Sequence, residues 1–352
     1  MYAGMKQAMD RYSRIQTMKI HYFSSEGWEE AYVRERLSDA DITFHDGSLA
    51  TYPDLSDPEA QVLCTFIESP IGEAEMSRFP ALKLIATRST GFDHIDLLAA
   101  KAHGITVANV PFYGENTVAE FTFALLLALS RRVIDADERV RTGVFSPTGL
   151  RGFDLAGKTL GVIGCGHIGM HVIRMANGFQ MKVIGFETHP DEARAKECHF
   201  TYASLPELLA QSDIITLHVP YNEHTHHLIN KENIASIKKG AYLVNTSRGA
   251  VVETDALIEA LKSGILAGAA LDVLEEEGEL SEEAALLTAA HPNEQALKIA
   301  LENHYLINHP RVIVTPHLAF NTTEAVERIL DTSIENIRQF AHGTPTNIVS
   351  MN

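Results

Sequence analysis

Three side chains that could bind and protonate a small carboxylated carbonyl compound stand at the ends of apolar runs in the C-terminal half of the chain. Arg248 follows the run Ala241 to Asn245 and precedes Gly249. A guanidinium there can grip a carboxylate through two parallel donors and polarise a neighbouring carbonyl. His317, directly after Thr315-Pro316, closes the last apolar run. Paired with a carboxylate it would be held protonated near neutral pH and could deliver a proton to a carbonyl oxygen. Asp272 closes the run Leu266 to Leu271. A partner acid could come from the acidic stretch Glu275 to Glu283, where nothing intrinsic separates Glu275, Glu276 and Glu277. Each has a plainer alternative: a strand-capping arginine, a structural histidine, a solvated acidic loop. The shared strand-end position of Arg248, Asp272 and His317 favours chemistry.

The element that must position them is Thr159 to Glu187, TLGVIGCGHIGMHVIRMANGFQMKVIGFE. Gly164 permits a tight turn off a strand, Gly166 lets backbone approach a pyrophosphate, and Gly169 lets the following helix pack closely on the sheet. The helix amino end then offers amide donors and partial positive charge to the phosphates. Glu187, 18 residues past Gly169, ends the next strand, where its carboxylate can accept both hydroxyls of an adenosine ribose. An acid there selects NAD, since a 2′-phosphate would meet like charge and Thr188, His189 and Pro190 supply no arginine. In open parallel sheets, ligands bind beyond the carboxyl ends of the strands. Those ends are Gly164, Glu187, His218-Val219-Pro220, Thr246-Ser247-Arg248, Asp272 and Pro316-His317.

The chain has 352 residues, 45% of them hydrophobic and 21% charged, enough for two domains. A net charge of −17 argues against nucleic acid or an anionic membrane as partner, because either would need a basic face. Cys64, Cys165 and Cys198 are few and scattered, which fits a reducing cytoplasm rather than a disulfide framework. Cys165, inside the phosphate turn, is read as an inert small residue. The apolar run Phe121 to Leu129 is too short to span a bilayer and is closed by Arg131 and Arg132. Residues 1–17 lack the apolar segment of a secretion signal. They are expected to be a disordered extension, or to precede a true start at Met18.

Strand-like runs at Lys19–Phe23, Ile42–His45, Gln61–Phe66, Leu82–Thr87 and Ile105–Asn109 alternate with helical patterns near Trp28–Leu37, Gly72–Arg78 and Leu97–His103, predicting a small parallel α/β unit. Asn116 and the capping box Thr117-x-x-Glu120 are expected to start a long helix to about Arg132. A charged segment, Asp135 to Arg151, follows. Strands are then predicted at Thr159–Ile163, Lys182–Phe186, Ile214–His218, Ala241–Asn245, Leu266–Leu271 and Val312–Thr315. A final helix, Thr323 to His342, is expected to return the chain to the first unit.

The chain resembles the D-isomer-specific 2-hydroxyacid dehydrogenases from Met18 onward, and within them the D-lactate dehydrogenase-like members. The stretches that carry the resemblance are TRSTGFDHID (87–96), VPFYGENTVAEFTFALLL (110–127), GVIGCGHIG (161–169), LHVPYNEHTHHLIN (217–230), NTSRGAVVETDAL (245–257), AALDVLEEE (269–277) and TPHLAFNT (315–322). It implies two doubly wound parallel-sheet α/β domains linked by long helices. One is a Rossmann-type NAD domain at 113–319, the other a smaller flavodoxin-like substrate domain at 18–112 and 320–352. It also singles out Glu277, five residues after Asp272, as the catalytic acid, with His317 the proton carrier and Arg248 the substrate-binding arginine. Amides at Thr90 and Gly91 would hold the substrate carboxylate, and Tyr113 would reach the substrate. His167, Ile168, Val219, Pro220, Thr225, Thr246, Ser247 and Asp272 would line NAD, Asp272 near its carboxamide. The implied reaction is hydride transfer from NADH to the carbonyl carbon of a small, pyruvate-like 2-oxo acid, with a homodimer as the assembly.

Two departures stand out. Gly278 to Pro310 inserts two predicted helices, Ser281–Ala290 and Asn293–Ile307, between the catalytic glutamate and the final strand, and is expected to form plain surface rather than a dimer flank or lid rim. Glu187 replaces the commoner aspartate. Competing readings are a sibling enzyme acting on glyoxylate, hydroxypyruvate, phosphoglycerate or phosphite, and an NADH-sensing scaffold like the corepressors of this superfamily. Formate is disfavoured, because that branch resembles a glutamine at position 277. The histidines His218, His224, His226 and His227 are not read as a metal site, since their spacing matches no HExxH or Cys/His set.

Overall fold

The computed structural model describes residues 15, 18–24, 26–275 and 294–350. Two compact units emerge, one from residues up to Tyr113 together with Thr322 onward, the other from Gly114 to Asn321.

In the first unit, strands β1 (Lys19–Ser24), β2 (Asp41–Asp46), β3 (Val62–Thr65), β4 (Leu84–Thr87) and β5 (Thr106–Ala108) form a parallel sheet in the order β2-β1-β3-β4-β5. That is a doubly wound order with its reversal between β1 and β3. Helices α1 (Gly27–Arg36), α2 (Glu73–Ser77) and α3 (Leu97–Ala102) make the crossovers. The strands are apolar on both sides because both sides are covered. Ile20, Tyr22, Val62, Cys64, Leu84 and Ala86 pack with Leu330, Ile334 and Ile337 of the C-terminal helix. The alternate residues Phe23, Leu63, Ile85 and Val107 pack with Met76, Phe79 and Ala100. The final helix therefore does return to this unit.

The second unit opens with α4 (Glu115–Arg131) and α5 (Val133–Arg141). It continues through β6 (Thr159–Ile163), α6 (His167–Gly178), β7 (Lys182–Phe186), α7 (Glu192–Glu197), β8 (Thr201–Tyr202), α8 (Leu205–Gln211), β9 (Ile214–Leu217), β10 (Ala241–Asn245), α9 (Thr254–Ser263) and β11 (Leu266–Leu271). It ends with α10 (Glu294–Ile307) and β12 (Val312–Val314); the C-terminal helix is then α11 (Thr323–Ala341). The parallel sheet order β12-β11-β10-β9-β6-β7-β8 reverses between β6 and β9. Ile163, Leu243 and Leu271 pack on one side, Val162, Val244 and Ala270 on the other.

Two expectations change, and a charged stretch without a predicted element gains one. The start of α4 is Gly114 with no side-chain cap, and Thr117 is buried inside the first turn, so the expected capping box does not form. Asn116 instead donates to Glu120 one turn along. Part of the charged segment is helix α5, which starts after Arg132 in the left-handed region at φ 53°. The described part of the insertion, α10, is not plain surface: Ile299, Ala300, Asn303 and Leu306 are buried. The predicted helix Ser281–Ala290 lies outside the described residues.

Candidate active site

The glycine turn is shaped by close approach. Gly164 has φ +92°, and a Cβ there would lie 2.7 Å from the carbonyl of His218, so the exits of β6 and β9 meet only because this residue has no side chain. A Cβ on Gly169 would come within 2.0 Å of the Gly164 oxygen, which is how tightly α6 seats on the turn. Gly166 differs. It starts α6, and a Cβ there would meet nothing within 4 Å. The chain itself does not require glycine at that position; open space before a helix amino end suits a pyrophosphate. The Glu187 carboxylate accepts the Cys165 amide at 3.1 Å and the Thr188 amide at 3.0 Å, bracing it between the exits of β6 and β7. Burial pushes the Cys165 thiol up to about 12, with the Glu187 charge acting in the same direction. These residues fit an NAD phosphate and ribose.

Around this turn, Ile168 packs into the core, while His167 is exposed and its ring lies 3.5 Å from Glu115. After β9, the Val219-Pro220 segment is closed by Thr225, whose hydroxyl donates to the Pro220 carbonyl and accepts from the Asn222 amide. His218 hydrogen-bonds Thr216 through Nε2, and burial lowers its pKa to about 3. Among the described residues no group of three or more His, Cys, Asp or Glu is gathered as a metal would need.

Arg248 and His317 leave strands that flank β11, the strand that ends at Asp272. The turn carrying Arg248 is organised by Asn245. Its Oδ1 accepts the Ser247 amide and hydroxyl, and its Nδ2 donates to the Arg248 carbonyl. The Thr246 hydroxyl meets that of Thr122 at 3.0 Å. Arg248 is extended, with Nη1 donating to the Ser247 carbonyl. A Cβ on Gly249 would strike the Leu274 carbonyl at 2.0 Å, so the chain leaving β11 runs directly against this turn.

His317 sits in the left-handed region at φ 49°, a conformation that costs a branched or bulky residue and needs outside support. Asp272 supplies it. The Asp272 carbonyl accepts the His317 amide. Its Oδ1 accepts the Thr315 hydroxyl at 2.6 Å and the Leu318 amide at 3.0 Å, and its Oδ2 accepts the Ala319 amide at 2.9 Å. Burial pushes this carboxyl above its ordinary range against the pull of those donors. Asp272 thus builds the turn that presents His317, a task its strand-end position alone did not disclose.

Of the three acids that the sequence could not separate, Glu276 and Glu277 lie outside the described residues. Glu275 is committed elsewhere: its carboxylate accepts the Thr254 hydroxyl at 2.6 Å and meets His227 Nε2 at 2.8 Å.

In the other unit, Thr90 donates its hydroxyl to the Val110 carbonyl, and its own carbonyl accepts Asn109 Nδ2. Ser89 ties down the Gly91 carbonyl at 2.6 Å. Both carbonyls of this turn are thus engaged. Tyr113 is half-buried, and its carbonyl accepts from Arg328. Sequence reading missed Asn245 and Thr122, although an Asn before Thr-Ser-Arg-Gly is a turn signal.

Residues 123–319 match the family model described as D-isomer specific 2-hydroxyacid dehydrogenase, NAD binding domain. An aromatic 2-oxoacid reductase of Clostridium sporogenes is 44% identical over 74% of this chain and 76% of its own. A glyoxylate reductase of Korarchaeum cryptofilum is 37% identical over 83% of each chain. Among solved structures, the D-lactate dehydrogenase of Aquifex aeolicus complexed with NAD and lactic acid superposes with a TM-score of 0.82 at 36% identity, covering 92% of this chain and 96% of that one. The chain belongs to the D-isomer-specific 2-hydroxyacid dehydrogenase family. It is an NAD-dependent oxidoreductase acting on the CH–OH group of 2-hydroxy acids.

Proposed function

We propose that the protein reduces a small, pyruvate-like 2-oxo acid to the D-2-hydroxy acid. The observation that carries this is the arrangement on one sheet edge: Arg248 and His317 leave the strands on either side of the one that ends in Asp272, and the glycine turn opens on the same edge. Bound NADH would supply the hydride, held by Gly164, Gly166, Gly169 and Glu187 and lined by His167, Ile168, Val219, Pro220, Thr225, Thr246 and Ser247. Arg248 binds the substrate carboxylate and polarises the carbonyl with its fork. His317 donates the proton to the carbonyl oxygen, and Glu277 stabilises the imidazolium. The Thr90 and Gly91 amides hold the carboxylate from the smaller unit, which we assign as the substrate domain, and Tyr113 contacts the substrate.

Two further assignments belong to this reading. The chain works in the cytoplasm, as its three free cysteines suggest; no helix among the described residues is long and apolar enough to cross a membrane. It works as a homodimer, for which the exposed apolar side chains Val133, Val140, Val144 and Phe145 offer a surface.

The test is steady-state turnover with NADH across glyoxylate, pyruvate, hydroxypyruvate and an aromatic 2-oxo acid, with NADPH as control. Pyruvate is expected to have the highest kcat/KM. Arg248→Ala is expected to lose ~10³-fold in that value, and Arg248→Lys to remain low, since one point charge cannot replace the fork. Near-normal reduction by Arg248→Ala would remove the assignment. Binding of NADH with no turnover of any of these acids would favour the sensing-scaffold alternative.

A further inference from the structure

The insertion helix reaches into the edge that carries the chemistry. Asn303 of α10 is 1% exposed, and its Nδ2 donates to the Glu275 carbonyl at 2.7 Å. Glu275 in turn joins stretches remote in sequence. Its Oε2 takes the Thr254 hydroxyl and amide at the start of α9. Its Oε1 meets His227, whose amide donates to the Ala250 carbonyl in the turn beyond Arg248. On the opposite side the backbone from Leu274 to Glu275 lies so close to Gly249 that no Cβ would fit.

We propose that Glu275 and Asn303 are positioning residues for the reduction. Together they fix the chain where it leaves β11, two residues before Glu277, in one register against the Arg248 turn. Helix α10 then belongs to the working parts of the enzyme, because its buried amide grips the Glu275 carbonyl at the exit of β11.

Three facts carry the inference. A buried asparagine is costly unless its polar atoms are used; this one spends its Nδ2 on a backbone carbonyl next to the site, while its Oδ1 is buried with no hydrogen-bond partner among the described residues. Glu275 is itself largely buried, with a side-chain exposure of 12%, and is held by donors from His227 and Thr254, so the carbonyl that Asn303 grips cannot drift. The glycine at 249 then leaves no slack on the far side. Lys298 of α10, its side chain 49% exposed, pairs with Asp255 and Glu302 and holds the helix without touching Glu275.

This proposal rests on the reading of Glu277 as partner of His317. In the reductive direction His317 must carry its proton, so kcat falls as pH rises through the pKa of the imidazolium. A carboxylate beside an imidazolium favours the protonated ring, so loss of that partner is expected to let the alkaline limb of kcat slide to lower pH. Asn303→Ala is expected to lower kcat ~10- to 100-fold, to leave KM for NADH within about twofold, and to move the alkaline limb downward. Thr254→Val, which removes only the hydroxyl from Glu275, should do the same to a smaller degree, and it carries the test if Asn303→Ala does not fold. Lys298→Ala is expected to lower thermal stability and must leave the limb in place. Glu277→Gln is the reference. If it moves the limb while soluble, NADH-binding Asn303→Ala and Thr254→Val do not, the positioning role is overturned and the Glu277 reading stands. If Glu277→Gln does not move the limb, both fall together.

Discussion

At the exit of β4 the chain is held by a buried cation, and at the exit of β11 by a buried anion. Arg88 follows β4, and its guanidinium donates to the Phe23 carbonyl at the end of β1 and, at 3.1 Å, to Glu29 in the first turn of α1. It also lies over the ring of Tyr22. Phe23 and Glu29 lie 65 and 59 residues from Arg88 in sequence. Asp272 does the reverse: as an acceptor it gathers Thr315, Leu318 and Ala319, neighbours within one short turn. A donor that ties distant elements is an element of unit stability. An acceptor that folds consecutive residues around itself sets local geometry, and here that geometry belongs to His317.

Breaking the first contact should therefore have the largest effect on folding. Arg88→Met removes the guanidinium and leaves a carboxylate that is 6% exposed, as a residue, without it. Loss of one partner of a buried ion pair costs about 3–5 kcal/mol. Denaturant unfolding should show that loss, and hydrogen exchange should place it in the smaller unit. Adding Glu29→Leu should recover most of it, because an apolar pair of similar volume avoids the desolvation of both charges. A single Arg88→Met within about 1 kcal/mol of wild type would erase the contrast drawn here.

Sequence alone locates the larger unit well and its working contacts poorly, for one physical reason. Parallel strands covered on both faces must be continuous apolar runs, so Thr159–Ile163, Lys182–Phe186, Ala241–Asn245 and Leu266–Leu271 are legible to the residue. Gly164 and Gly169 are legible because nothing else fits where they stand. Strand β8, two residues long, has no period to read. Thr117 mimics a cap although the helix begins before it. Glu277 is separable from Glu275 and Glu276 only through the family resemblance. The engagement of Glu275 by Asn303 spans 28 residues, and no local pattern encodes such a contact. Arg88 is legible only as the residue after the run Leu82–Thr87, since its burial depends on α1 and β1 closing over it.

Asp272→Asn tests the second half of the contrast. Two effects oppose each other: the substitution removes a buried charge, whose carboxyl burial already pushes upward, but it turns one acceptor into a donor. Three donors converge on the two oxygens, so an amide nitrogen would face a hydroxyl or a backbone N–H, and the mismatch outweighs the relief. The expected loss is about 1–3 kcal/mol, smaller than for Arg88→Met. The loss of turnover should be out of proportion, ~10²-fold in kcat, because His317 would no longer be held in its left-handed conformation. Equal fractional losses of stability and kcat would mean that Asp272 serves the fold alone.

The smallest expected effect lies in the network behind β1, which is charged but does not tie down a strand exit. Asp57 accepts from Lys19 at 2.7 Å and from His21 Nε2 at 2.9 Å, and His21 Nδ1 lies 2.7 Å from His45 Nε2. An ionised Asp57 makes Nε2 of His21 the donor, so in neutral His21 Nδ1 accepts from His45. Partial burial pushes the Asp57 carboxyl up, but the donors from Lys19 and His21 win and hold it well below the usual range. Its stabilisation is complete above the unfolded carboxyl pKa, about 4, and is lost as pH falls toward the lower folded value. His45 adds a step in the same direction. Burial, and then the charge of His21, lower its pKa, so protonation in the unfolded chain drains stability as pH falls below about 6.5. Asp57→Asn should cost about 1 kcal/mol at pH 7, and its gap from wild type should shrink toward pH 3, measured by denaturant midpoints at each pH. A gap independent of pH would assign the cost to lost hydrogen bonding rather than to charge.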